Sequence, residues 1–321
     1  MYILLVAGIL ISFILTFFLY PPFITKAKKW VPKRIQQNIR PNVYQLHQKK
    51  EGTPNLGGLL ILVAISLLVP LLAASTNTYI LLAAAWSFGL LGLLDDILGT
   101  KGKTFFGLTP LMKLFFQCTL ALLTSLLCFF IGQSNELSIS LVGLHLNNPL
   151  IIIPFFVLLY VSTTNAVNIT DGLDQLAGSL LAWCYLFFTI IAILQQRSDI
   201  ASFTCVILGS LFAFLWYNRH PARIFMGDTG SMSHGALITT LAILLKMPLI
   251  LLVLGLPFII ETGSVILQRI WKKVFGRRIF LLSPLHHHFE KKGYSEQKIV
   301  LGFTIFGFIC FCISLLLAAV A

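Results

Sequence analysis

Apolar runs of about 20 residues recur along almost the whole chain, and no other feature constrains its fold as strongly. Each run can cross about 30 Å of hydrocarbon as a helix, which satisfies every backbone N–H and C=O inside the segment. The spacing predicts ten spans, at 2–21, 56–73, 78–97, 106–131, 149–167, 174–194, 200–217, 231–246, 248–270 and 298–320. The segments between them are too short for a separate soluble domain. Residues 1–321 therefore read as one all-α, polytopic integral membrane domain. Composition agrees: 11% of residues are charged, against roughly 25% in a soluble domain, and the mean hydropathy is +0.91. Pro248 and Pro257 interrupt the ninth run and predict a kink. The first run starts at Met1 without a basic n-region, so it reads as a retained helix and not a cleaved signal peptide.

Lysine and arginine set the orientation. Lys26, Lys28, Lys29, Lys33, Arg34, Arg40, Lys49 and Lys50 follow the first span, Lys101 and Lys103 the third, and Arg219 and Arg223 the seventh. Lys272, Lys273, Arg277, Arg278, Lys291 and Lys292 precede the last, whereas the alternate loops hold only Arg197 and Lys246. The positive-inside bias then makes the basic loops cytoplasmic and puts both termini outside. Topology and attraction to anionic lipid account for most of the net charge of +12, leaving a share for drawing in anionic substrates. No soluble module exists to present a groove-reading element, so nucleic acid is not an expected partner. The six cysteines all fall within apolar spans with no CxxC spacing and read as buried small hydrophobes.

The carboxylates carry the functional signal. Of eleven, only Glu136 and Asp199 fall in outside loops; the others map at or near cytoplasmic ends of spans, where an ionisable group is costly. Asp95 and Asp96, in GLLDDILG, close the third span. Two anions at a helix C-terminus oppose the dipole, so a nearby cation or a proton-transfer task explains them better than local structure does. Pairing with Lys101 and Lys103 is the plainer alternative. In NAVNITDGLDQLAG, Asp171 and Asp174 share a face if the next helix begins there, and Asn168 adds an amide that both donates and accepts. Helix capping accounts for one of these aspartates but not for the whole polar cluster.

In YNRHPARIFMGDTGS, Gly227 and Gly230 flank Asp228 at a helix start, where free backbone N–H groups favour phosphate. Asp228 suits Mg²⁺, and Phe225 suits either base stacking or interfacial anchoring. Asp-Thr-Gly-Ser also resembles the aspartic-protease signature; the soluble all-β framework which that motif serves is missing from this pattern, which leaves an intramembrane aspartyl protease as the alternative, since other aspartates lie near spans. In LSPLHHHFE, three adjacent histidines cannot easily ligate one ion; imidazoles in a basic loop suit phosphate binding or proton exchange near neutral pH. In HQKKEGTPNLGG, Lys50 precedes a Thr-Pro-Asn turn, able to hold a nucleotide phosphate or simply to set topology.

Taken in order, TPNLGG, LLDDILG, FFGLTPLMK, NAVNITDGLDQLAG, FMGDTGS and SPLHHHFE resemble the phospho-N-acetylmuramoyl-pentapeptide-transferase family. That family lies within the polyprenyl-phosphate hexose-1-phosphate transferase superfamily, and the resemblance covers nearly the whole chain. It implies ten spans with both termini outside, a bacterial plasma-membrane location, an active site on the cytoplasmic face, a Mg²⁺ requirement and a homodimer. The implied reaction joins UDP-N-acetylmuramoyl-pentapeptide to undecaprenyl phosphate, releasing UMP and forming lipid I for peptidoglycan. Asp95 and Asp96 match the family's aspartate pair and Asp228 its metal-binding aspartate, and all three are catalytic candidates. Asn168, Asp171 and Asp174 match the polar run near the nucleotide. Asn218, Phe225, Gly227 and Ser231 match positions around the uridine and diphosphate. Lys50 and Lys103 match basic positions there, with His286 and His287 lining the same cleft and His286 also a catalytic candidate. Asn55, Leu56, Gly99 and Gln175 depart from the usual motifs. Direct attack by the lipid phosphate and a two-step route through an aspartyl-phosphate both fit these residues. A secondary transporter would instead gather its polar groups near the bilayer midplane, in related halves.

Overall fold

The computed structural model describes residues 2–30, 50–101, 107–132, 134, 136–139 and 144–320. Lys103 lies outside the described residues, as do Lys33, Arg34, Arg40 and Lys49. The helices follow one another in chain order: α1 (Tyr2–Trp30), α2 (Gly57–Leu72), α3 (Thr76–Lys101), α4 (Pro110–Leu126), α5 (Pro149–Thr170), α6 (Leu176–Leu194), α7 (Ser198–Asn218) and α8 (Gly227–Leu244). After these come the single turn α9 (Leu251–Leu254), α10 (Leu256–Phe275), α11 (Leu285–Lys291) and α12 (Glu296–Val320). The strands β1 (Leu137–Ile139) and β2 (Leu144–Leu146) form a small antiparallel ladder that the apolar pattern did not signal.

The bundle is organised around α8. Every residue of α8 except Asp228 is buried, and α2, α3, α5 and α6 all pack on it. Shielded from lipid, this helix tolerates the Gly, Ser, Thr and His of GDTGSMSHGALITTLAIL. Its neighbours approach backbone to backbone. A Cβ on Gly92 of α3 would lie 2.2 Å from the Asp228 carbonyl oxygen, and one on Gly58 of α2 2.1 Å from Gly230 Cα. The outer helices show the opposite pattern: Leu4, Leu10, Ile14 and Phe18 of α1 are exposed, as a lipid-facing surface requires.

Among the described residues, seven helices are long and apolar enough to cross a membrane, and a bent pair makes an eighth. The expectation of ten is met to that extent. Of the other two expected spans, α2 has only 16 residues, and α8 is too polar to register by apolarity. The expected kink in the ninth run is a 76° bend between Pro248–Leu254 and Leu256–Phe275. Pro257, in the first turn of α10, has no N–H to continue the earlier turn. Two helices outrun their apolar segments. Helix α1 continues to Trp30 through Lys26, Lys28 and Lys29, whose charges suit a helix C-terminus. Helix α10 continues to Phe275 and stops at Gly276, whose φ of +70° is the left-handed geometry of a C-terminal cap.

Candidate active site

The C-terminal ends of α3, α5 and α7 and the N-terminal ends of α2, α4, α6, α8 and α12 meet at one end of the bundle. That end holds the polar motifs. Two of them are joined through the main chain: Phe225 N–H donates to Pro54 C=O (2.9 Å), Gly57 N–H to Phe225 C=O (2.7 Å) and Gly58 N–H to Met226 C=O (3.0 Å). Tyr20 Oη fixes the same junction by donating to Gly57 C=O at 2.9 Å. The chain then turns sharply at Gly227, where φ is +77° and a Cβ would sit 2.1 Å from Asn55 C=O. Only glycine fits there.

Asp95 and Asp96 are adjacent in sequence and differ in role. Asp96, 6% exposed, has both oxygens occupied. Oδ1 accepts from Asn55 Nδ2 (2.7 Å) and Asp228 N–H (3.1 Å), and Oδ2 from Thr229 N–H (2.9 Å) and Thr229 Oγ1 (2.7 Å). It is a carboxylate cap on α8, supplied from another helix, and it satisfies N–H groups that the first turn leaves open. Asp95 faces the other way. Its Oδ1 accepts from Leu108 N–H (2.6 Å), and its Oδ2 lies 3.1 Å from Lys113 Nζ.

Lys113 is the residue that sequence reasoning passed over. Its Nζ lies 2.5 Å from Asp228 Oδ2 while also reaching Asp95, so one ammonium bridges two carboxylates from different helices. Asn168 completes the group by donating through Nδ2 to Asp228 Oδ1 (2.7 Å) and Ser231 Oγ (2.8 Å). Asp171, one turn after Asn168, caps the end of α5 beside this cluster.

A second polar group lies against the same end. Asp174 Oδ1 meets Lys50 Nζ at 2.7 Å, and its Oδ2 accepts from Ala222 N–H (3.1 Å) and faces His220 Nδ1 (2.9 Å). Burial alone would raise the Asp174 pKa; the Lys50 ammonium and the hydrogen bonds from Lys50, His220 and Ala222 outweigh it and hold the carboxyl below its ordinary range. Lys50 Nζ also stands 5.8 Å from the centre of the Phe225 ring. Asn218 is bound entirely to main chain here, accepting from Gln175 N–H (2.6 Å) and donating to Ile224 C=O (2.8 Å). It ties the Asp174 loop to the Phe225 segment.

The histidine run closes the site. His286 Nδ1 lies 2.9 Å from Glu261 Oε2, and its backbone N–H donates to Glu261 Oε1 at 3.1 Å; both residues are buried. His286 Nε2 is buried with no partner among the described residues and rests against Gly172, where a Cβ would come within 2.3 Å. His287 Nδ1 meets Glu290 Oε2 at 2.6 Å, and the two imidazoles are 4.2 Å apart, edge to face. Glu261 was also passed over, although a carboxylate inside an apolar helix is itself a signal.

A polytopic helical bundle that gathers carboxylates, lysines and an imidazole at one membrane end is suited to group transfer between a polar donor and a lipid acceptor. Residues 78–246 match the model of glycosyl transferase family 4, and the chain belongs to that family. The relatives it resembles are phospho-N-acetylmuramoyl-pentapeptide-transferases. That of Halalkalibacterium halodurans is 39% identical over 308 residues, covering 94% of each chain. That of Geobacillus sp. is 38% identical over 308 residues, again 94% of each. The Clostridium botulinum enzyme is 37% identical over 304 residues, 93% of this chain and 92% of the relative.

Proposed function

We propose that this chain transfers phospho-N-acetylmuramoyl-pentapeptide from its UDP carrier to undecaprenyl phosphate, releasing UMP and forming lipid I in the bacterial plasma membrane. The single observation that carries the reading is the Asp95–Lys113–Asp228 bridge, in which two helices present carboxylates to one cation at a membrane end. The same reading puts that end on the cytoplasmic side, where the basic loops gather, with ten spans in all, and treats the working unit as a homodimer.

The donor set fits Mg²⁺. Asp228 and Asp95 are hard carboxylate ligands that already accommodate positive charge between them, and Ser231 adds a neutral hydroxyl oxygen beside them. Asp228 would hold the ion, which when bound would supply neutralisation of charge on the diphosphate. The chain's own groups do the rest. Asp95 keeps the incoming lipid phosphate ionised or accepts its proton. Lys113 holds that carboxylate ready and offers an ammonium to phosphoryl oxygens. Asn168 fixes the rotamer of Asp228. His286, its Nδ1 engaged by Glu261, presents Nε2 toward the Asp171–Gly172 turn as a proton donor or acceptor. Lys50, Asp174 and Phe225 form the nucleotide end, with charge for phosphate and an aromatic face for the base. Direct attack and an aspartyl-phosphate route are both compatible with this arrangement.

The test is UMP release from UDP-N-acetylmuramoyl-pentapeptide by purified protein given undecaprenyl phosphate and Mg²⁺. Chelation should stop the release, and added Mg²⁺ should restore it. Release with UDP-N-acetylglucosamine in place of the muramoyl donor would move the chain to a different donor class. No release with either donor would reject the reading.

A further inference from the structure

Glu296, the first residue of α12, lies just beyond the LSPLHHHFE run and in none of the motifs above, yet its carboxylate is the hub of the Lys50–Asp174 group. Its Oε1 accepts from Lys50 Nζ at 2.5 Å and from Asp174 N–H at 2.6 Å, and its Oε2 is 3.4 Å from His220 Nδ1. Four chain segments converge on this point, at Lys50, Asp174, His220–Ala222 and Glu296. An acidic residue in the first turn of a helix suits the dipole, but that accounts for its charge and not for where its oxygens go. Asp174, His220 and Glu296 bring three candidate metal-ligand atoms within 4.8 Å of one another, and the Lys50 ammonium lies between the two carboxylates. With two carboxylates sharing one lysine, the ammonium cannot swing away without stripping a nearly buried carboxylate of its lysine counterion. The Glu296 and Lys50 side chains are each 12% exposed and that of Asp174 1% exposed, so water does little to compensate.

We infer that Glu296 is a positioning residue for nucleotide recognition. It locks the Lys50 ammonium beside the Phe225 ring and fixes the main chain at Asp174, so that both meet the donor preformed. The inference rests on the assignment of Lys50, Asp174 and Phe225 to the nucleotide end. Because Glu296 makes no contact with the Asp95–Lys113–Asp228 group, its loss should weaken donor binding and spare the chemical step.

The experiment compares full-length wild type with Glu296→Gln, which keeps an acceptor for Asp174 N–H and removes the charge that holds Lys50. The expected result is a KM for the UDP-donor raised roughly tenfold. UMP, used directly as the binding probe, should bind weaker by the same factor. kcat should stay within about twofold and the KM for undecaprenyl phosphate should not change. Lys50→Met combined with Glu296→Gln should be no worse than Lys50→Met alone, because the two side chains act as one. A donor KM and UMP affinity equal to wild type, or a fall confined to kcat, would overturn the inference while wild-type turnover leaves the transferase reading standing. Wild-type protein that releases no UMP would overturn both.

Discussion

The sharpest consequence of the site geometry is that Asp95→Asn and Asp96→Asn should fail for different reasons. The Asp96 carboxylate accepts four hydrogen bonds, two on each oxygen, three of them from the first residues of α8. Asparagine can offer only one oxygen there, and its amide would point N–H groups at two donors. Two bonds to a charged acceptor, at about 1.5–3 kcal/mol each, are lost, together with a carboxylate at a helix N-terminus. The summed cost is about 3–6 kcal/mol in a residue only 6% exposed. Asp95→Asn keeps an oxygen for Leu108 N–H and loses only one charged contact, while Lys113 retains Asp228 as its counterion, so its effect on stability should be smaller, about 1–2 kcal/mol. The assay pairs denaturant or thermal unfolding in one detergent with UMP release for both variants. Asp96→Asn should unfold markedly earlier than wild type, whereas Asp95→Asn should unfold near wild type and lose turnover by at least about a hundredfold. An Asp96→Asn protein as stable as wild type would refute the capping role of this carboxylate.

Three further outcomes follow from named contacts. Lys113→Met should abolish most UMP release, by about a hundredfold or more, because Asp95 and Asp228 lose their shared cation; near-normal turnover in folded protein would contradict this. Gly92→Ala should cost about 1–3 kcal/mol and shift the backbone at Asp228, while Gly302→Ala on α12, which meets nothing within 4 Å, should be neutral or slightly stabilising; unfolding midpoints of the pair check it. Asp174, whose folded pKa is depressed, contributes stability that is fully present above the ordinary carboxylate value and is lost as pH falls through its own lower one. The stability gap between wild type and Asp174→Asn should therefore be flat above about pH 5 and close in more acidic solution, as pH-dependent unfolding would reveal.

Much of this architecture was legible in the chain, and the exceptions have physical causes. Lipid-facing helices such as α1 announce themselves because their outer faces must be apolar. Helix α8 was expected from the same pattern, yet its low apolarity shows why such a criterion weakens for a helix that touches only protein. The principle that identified Asp95 and Asp96, charges set against a helix dipole, applies equally to Lys113, a cation in the first turn of α4; read that way, FFGLTPLMK holds its signal. What the linear pattern could not give was the division of labour between Asp95 and Asp96. It depends on Gly92 letting α3 come close enough for Asp96 to reach α8. Gln175 adds a smaller lesson: its φ of +68° is left-handed geometry that glycine adopts without strain, so this departure from the resembled motif falls at a backbone position a side chain occupies at some cost. Asn218 was matched to the uridine end, and its amide is bound to main chain on either side of that end.

The sheathing of α8 bears on how this molecule would answer to its surroundings. A bilayer that thickens, thins or changes its lateral pressure pushes first on helices that touch acyl chains, and those can tilt or shift at modest cost. The helix that carries Asp228 has no such surface, and its neighbours meet it through glycine contacts with no slack. Bilayer mechanics should thus be absorbed at the periphery, leaving the reacting groups indifferent to membrane thickness.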